Sequence, residues 1–263
     1  MQDIAKLISL ALLSAYIEEE KPLSLMLVSK VESGKSALLT KFSDVPNVVM
    51  PSDVTAWGIA KHYGDALRKG KIRHILIPEF SIPISRNWDT VKSLDTYLCG
   101  LIEEGVGEIV SYKWRFATKA PYGCGVILCI SNQDFKKQEA NWFRIGLMSR
   151  VIPVSYDYKT DTQAAIKEYI KQRQYRKESK INFPIPQAKI PVTLPLPMAN
   201  KLEKMVNKLI TGTELYGFRW QRHLQRLAMA NAVLNNRTTV ELTDVETVRH
   251  LKKYMNVDCD EKI

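Results

Sequence analysis

The residue types best suited to chemistry lie early in the chain, in the run Ser29-Lys30-Val31-Glu32-Ser33-Gly34-Lys35-Ser36. A Gly-Lys-Ser triplet joins a freely turning backbone to a cation and a hydroxyl. In a loop that opens onto a helix, these parts hold a polyphosphate. Backbone N–H groups wrap the anion, Lys35 neutralises its outer charge, and Ser36 ligates the accompanying Mg²⁺. The first glycine of the usual phosphate-loop pattern is replaced by Ser29, which fits the turn with a negative φ or some strain. The flanks suit such a loop. The apolar run Leu23–Val28 precedes it, and Ala37-Leu38-Leu39 begins a helix after it. A second apolar run, His74–Ile77, ends in Pro78-Glu79. Two acids at a strand end would orient Mg²⁺ and polarise water. Here Pro78 takes the first position and cannot hold a metal through its side chain, while Glu79 remains as a candidate general base.

The elements that must position these residues follow from periodicity. Ile4, Leu7, Ile8, Ala11, Leu12 and Ala15 recur at helical spacing, which predicts an amphipathic helix over about 3–19. Nearly unbroken apolar runs predict parallel strands buried on both faces at Leu23–Val28, His74–Ile77, Val126–Ile130 and Val151–Val154, with a short strand at Asn47–Met50. Helices are predicted from Asp53 as cap to about Arg68 and over 88–104, with a hairpin over 105–116. Strands alternating with helices imply an α/β fold with a parallel sheet and helices on both faces. The character changes near Tyr158. A charged helix over about 162–179 precedes 183–197, which carries five prolines and reads as an extended strap. Helices over about 198–211, 217–235 and 243–255 close the chain, the last behind a cap at Thr243. The expected division is a nucleotide-binding α/β domain over 1–158 and a helical domain over 159–263.

The order of parts is more specific than any one of them. Ser131-Asn132 puts polar residues at the tip of the third buried strand, and Gly146-Leu147-Met148-Ser149-Arg150 precedes the fourth. Phe218-Arg219 opens a helix that continues through Leu224, Arg226-Leu227 and Ala230. With the phosphate loop, this order resembles the AAA+ class of P-loop ATPases. Its last two segments are similar to those of minichromosome maintenance helicases. The resemblance covers roughly 22–255 and implies ATP and Mg²⁺ as ligands and a small C-terminal helical lid. It implies that Asn132 positions the attacking water, that Arg150 reaches the terminal phosphate bound by a neighbouring copy, and that Arg219 acts from the lid. It also implies a ring or filament of identical copies, six for a ring. Ser29 and Pro78 depart from both nucleotide motifs, and the 263 residues read as a bare motor core, without a segment that resembles the winged-helix tail or large N-terminal domain usual in that helicase group.

Charge bears on partners. The formal net charge is +10 and the isoelectric point about 9.3, which favours polyanions. The hairpin carries Lys113, Trp114 and Arg115, two cations flanking an aromatic, at a position where relatives put a pore loop. That combination suits nucleic acid, with DNA favoured. By period two, Tyr112, Trp114 and Phe116 could equally pack on one face, leaving the cations solvated. A hairpin gripping polypeptide, as in a protein-remodelling chaperone, is the rival expectation, and an ATP-binding scaffold with weak hydrolysis is a third. The apolar N-terminal run is interrupted by Lys6 and too short to span a bilayer, so no membrane partner is expected. Cys99, Cys124, Cys129 and Cys259 form no C-x-x-C pair, which fits a reducing cytoplasm better than a disulfide or zinc framework.

Overall fold

The computed structural model describes residues 1–110, 115–174, 180–213 and 215–255. Among these residues the chain opens with α1 (Gln2–Ser14), β1 (Leu25–Ser29), α2 (Lys35–Thr40), β2 (Val48–Val49), α3 (Ala56–Arg68) and β3 (His74–Ile77). It continues through α4 (Ser81–Ile84), α5 (Trp88–Cys99), β4 (Val106–Val110), β5 (Arg115–Tyr122) and β6 (Gly125–Ser131). Then come α6 (Asn132–Arg144), α7 (Leu147–Arg150), β7 (Ile152–Ser155) and α8 (Thr160–Lys171). Helices α9 (Leu196–Leu209), α10 (Phe218–Leu234) and α11 (Leu242–Leu251) end it.

Five strands form one parallel sheet in the order β2-β3-β6-β1-β7, and β4 pairs antiparallel with β5. The apolar run of β1 is explained by its position: it lies between β6 and β7, and all five of its residues are buried. Period-two alternation splits its side chains between two cores. Leu25 and Leu27 join α1, α2, α9, α10 and α11 on one face, while Met26 and Val28 join α3, α5, α6 and α7 on the other. The C-terminal helices therefore share an apolar cluster with the sheet, with α10 packed along α1. The proline-rich segment is extended, and isolated bridges tie Ile190 to Ile17 and Thr193 to Thr239.

Several boundaries differ from the sequence expectations. Helix α1 stops at Ser14 because Ser14 turns its hydroxyl to the Ala11 carbonyl and accepts the Leu23 N–H, closing the turn into β1. The cap of α3 is Thr55, whose side chain accepts from Gly58 N–H at 3.0 Å, while Asp53 pairs with Arg86. The α-helical part of α5 ends at Cys99, and Gly100–Glu104 form a π-turn closed by Gly105 N–H on Gly100 O at 2.7 Å. Glu241 rather than Thr243 caps α11, with Asp244 reciprocating in a capping box. The α8 helix ends at Lys171, and the expected continuation to 179 includes 175–179, outside the described residues.

The topology creates one crevice. From β1 the chain passes to α2 on one face, and from β6 to α6 on the other, although the two strands are neighbours. Where adjacent strands send their chains to opposite faces, a cleft opens at their carboxyl ends, which is where open α/β sheets bind ligands.

Candidate functional site

Ser29-Lys30-Val31-Glu32-Ser33-Gly34-Lys35-Ser36 lies at that crevice. Glu32 and Gly34 adopt left-handed backbone conformations, φ 63° and 77°, alternating with their neighbours. Such alternation turns successive N–H groups toward one side and makes an anion-binding concavity. Ser29 keeps its turn through its hydroxyl, 2.6 Å from Ser33 Oγ, and has no left-handed φ. Lys35 is buried beneath the loop and donates to Ser29 O at 2.9 Å, Lys30 O at 2.8 Å and Ser33 Oγ at 3.2 Å. Burial pushes its pKa down, and the neighbouring Cys129 and Glu79 act in the opposite direction. The loop is braced from behind: Tyr158 and Tyr156 donate to Ser33 O at 2.6 and 3.2 Å, and Lys30 pairs with Asp157 at 2.8 Å. These three residues just after β7 were not singled out from the sequence, and no local motif marks them.

Across the crevice, Ser36 Oγ lies 2.6 Å from Glu79 Oε1 and 2.9 Å from the Pro78 carbonyl. Pro78 thus contributes backbone oxygen where its side chain has none. A cavity of about 520 Å³ is lined by the loop, Glu79, Ser81, Ser131, Gln133 and Asp134. Asn132 is not among its lining residues, and its Oδ1 is buried without a partner. The residue that sequence reasoning missed is Asp134. Its Oδ2 accepts from Ser81 at 2.7 Å and Ser131 at 2.9 Å, and its Oδ1 from Lys137 at 3.0 Å. The Ser81 bond, then Lys137, holds this carboxyl below its ordinary pKa. The spacing Ser131-x-x-Asp134, a helix-start pattern, was the available signal. Cys129 beside the cavity is a thiol whose pKa burial pushes up to about 12.

The arginines lie elsewhere. Arg150 ends α7, just before β7 begins, and β7 runs parallel to β1. It therefore stands at the amino end of the sheet, separated from Lys35 by the length of β1, about 13 Å at 3.3 Å per residue. It donates to Gly146 O at 2.8 Å and pairs with Glu104, with its Nε buried and unpartnered. Arg219 donates to Ser149 Oγ at 2.6 Å, which brings it beside Arg150 and not over its own phosphate loop. Arg222 and Lys21 share Glu103, and Arg226 pairs with Glu20 at 2.7 Å, so α10 presents a run of cations here.

On the hairpin, Arg115 is exposed and paired with Glu108 at 2.8 Å. Lys113 and Trp114 lie outside the described residues. The groove between α5 and β4 is lined by Trp88, Lys92 and Val110, and Lys92 rests over the Trp88 ring at 4.6 Å.

The loop fits a polyphosphate with a hard cation. It offers convergent N–H groups, a buried ammonium, and hydroxyl and carboxylate oxygens side by side at Ser36 and Glu79. No cluster of three or more His, Cys, Asp or Glu that could enclose a metal occurs among the described residues. Mg²⁺ asks for less, because it commonly takes one or two protein oxygens with substrate phosphates and water. No helix among the described residues is long and apolar enough to cross a membrane. No family model matches the chain, and the search of curated proteins finds no match.

Proposed function

We propose that this chain is an ATP-binding P-loop ATPase of the AAA+ class that works as a homo-oligomer on DNA. The observation that carries the reading is the cradle. An anion-binding loop that ends at Ser36, with Lys35 buried beneath it, faces Glu79 across one cavity. ATP would lie with its phosphates on Lys35 and the N–H groups of 32 and 34–36, the Ser33 N–H being donated to Lys30 O, with Mg²⁺ beside Ser36 and Glu79. The cation supplies charge neutralisation of the phosphates.

The separation of Arg150 and Arg219 from Lys35 supports oligomeric action. Phosphoryl transfer gains from a guanidinium at the terminal phosphate, and neither arginine lies at its own cradle. A neighbouring copy presenting its Arg150–Ser149–Arg219 end would complete the site, and repetition of that head-to-tail contact generates a ring or filament. DNA as substrate is supported by the +10 charge and by the cations of the hairpin. Pro78 favours a second reading, in which ATP binding gates assembly and hydrolysis is slow.

The test is ATP binding and turnover with and without DNA. The proposal expects Mg²⁺-dependent ATP binding, turnover stimulated by DNA, and DNA affinity that falls with salt. Binding without turnover selects the gated scaffold. DNA-independent turnover with no DNA affinity removes the nucleic-acid part.

A further inference from the structure

We propose that Asp134 is the carboxylate that holds and deprotonates the attacking water, and that Glu79 serves the metal side of the site. This rests on the cradle reading above and reassigns the general base that the strand-end motif suggests.

Three observations divide the two acids. First, Glu79 Oε1 is bound to the hydroxyl of Ser36, the residue that would ligate the cation, so Glu79 is occupied on that side of the cavity. It there makes good the side chain lost at Pro78. Second, Asp134 reaches the same cavity from the neighbouring strand. Although it stands at the third position of α6, its carboxylate reaches across to Ser81 as well as to the Ser131 hydroxyl. Third, Asp134 is poorly suited to a metal and well suited to water. An ionised carboxylate offers about four lone-pair sites. Two on Oδ2 are taken by the serines and one on Oδ1 by Lys137, leaving room on Oδ1 for one more proton donor. A divalent cation there would sit beside the Lys137 ammonium and be repelled by it. A water would not. The serine and lysine bonds also keep the carboxylate ionised and its rotamer fixed.

The step balances. The water oxygen forms its bond to the terminal phosphorus as the bridging P–O bond breaks toward the nucleoside diphosphate. One water proton passes to Asp134 Oδ1 and then to phosphate or solvent. Ser81 and Ser131 act as positioning residues.

The experiment compares Asp134→Asn and Glu79→Gln in the full chain. ATP affinity is measured with Mg²⁺ and with EDTA, and single-turnover hydrolysis with Mg²⁺. Asp134→Asn is expected to keep parental affinity and its Mg²⁺ dependence within about twofold, while hydrolysis falls about 10²-fold or more, trapping intact ATP. Glu79→Gln is expected to lose the gain in affinity that Mg²⁺ brings. Ser81→Ala, which leaves the α6 cap in place, should reduce hydrolysis without altering affinity. It decides the matter if Asp134→Asn fails to fold. Hydrolysis by Asp134→Asn or Ser81→Ala within about threefold of the parent overturns the proposal. So does the reverse pattern, with Glu79→Gln trapping ATP and Asp134→Asn losing the Mg²⁺ effect. If the parent chain hydrolyses ATP but Asp134→Asn is unaffected, only this assignment fails. If the parent does not bind ATP, the cradle reading fails with it.

Discussion

Lys35 uses its ammonium on its own loop, on Ser29 O, Lys30 O and Ser33 Oγ. A phosphate would compete for those donors with a full charge, and charge-assisted bonds are the stronger ones. Lys35→Ala should therefore weaken ATP binding by about 2–3 kcal/mol or more, roughly 30–150-fold, in a protein that still melts cooperatively. Undiminished affinity would remove the phosphate-loop assignment. The buried histidines make a second residue-scale prediction. Burial lowers His74 and His223 to about 4. Unfolded, each would titrate near 6.5, so between those values the unfolded chain binds more protons and stability falls as pH falls. Asp95, raised to about 6 by burial, acts in the opposite sense, losing stability as pH rises from its unfolded value toward 6. Two groups outweigh one, so unfolding free energy should drop by about 1.4 kcal/mol per pH unit between about pH 6 and 4. Urea unfolding at pH 7 and pH 5 measures it, and equal or greater stability at pH 5 contradicts the argument.

At the scale of elements, the hairpin is where charge and packing meet. Arg115 is paired with Glu108 across β4 and β5, an exposed pair worth at most about 1 kcal/mol. If Arg115 contacts phosphate, Glu108→Gln should free it and raise DNA affinity. Removal of both Lys113 and Arg115 should lower affinity and flatten the salt dependence by about one unit per lost contact. Neither change should affect ATP binding. Unchanged affinity and slope in the double variant would leave the hairpin without a DNA role and favour polypeptide as the gripped substrate. The strands were legible here because central parallel strands are apolar throughout. The caps were less so: Thr55 and Glu241, not Asp53 and Thr243, open α3 and α11. Adjacent polar residues are near-equivalent by type, and tertiary partners choose between them, as Arg86 does by engaging Asp53.

At the scale of the whole molecule, the parallel run of β1 and β7 puts the cradle at the carboxyl end of the sheet and Arg150 with Arg219 at the amino end. An Arg150→Ala protein should bind ATP and fail to hydrolyse it. A Glu79→Gln protein should also fail, from the opposite side of the shared site. Mixing the two should restore part of the turnover, because one kind of interface then carries both intact groups. No recovery in mixtures shown to co-assemble would contradict a shared site.

The cradle was readable from sequence because its parts are consecutive. Ser29 through Ser36 are joined by the backbone, so type and spacing alone carry the chemistry, and the buried runs on either side dictate strand and helix. Glu79 was readable for a similar reason, as the acid two residues past the end of a buried strand. Asp134, Ser81, Tyr156 and Tyr158 were not. They reach the site from β6–α6, the end of β3 and the end of β7, and only the neighbour relations of the strands bring them together. Asn132, one residue from a lining serine, is not among the residues that line the cavity, and nothing in its type or position in the sequence distinguished it from Asp134 two residues on. The pairing of the strands also decided that Arg219 reaches Ser149, seventy positions away and next to Arg150, and that both arginines stand away from the chain's own Gly34-Lys35-Ser36 loop. Local order is set by covalent sequence and burial. Which distant side chains face one another is set by how the strands pair.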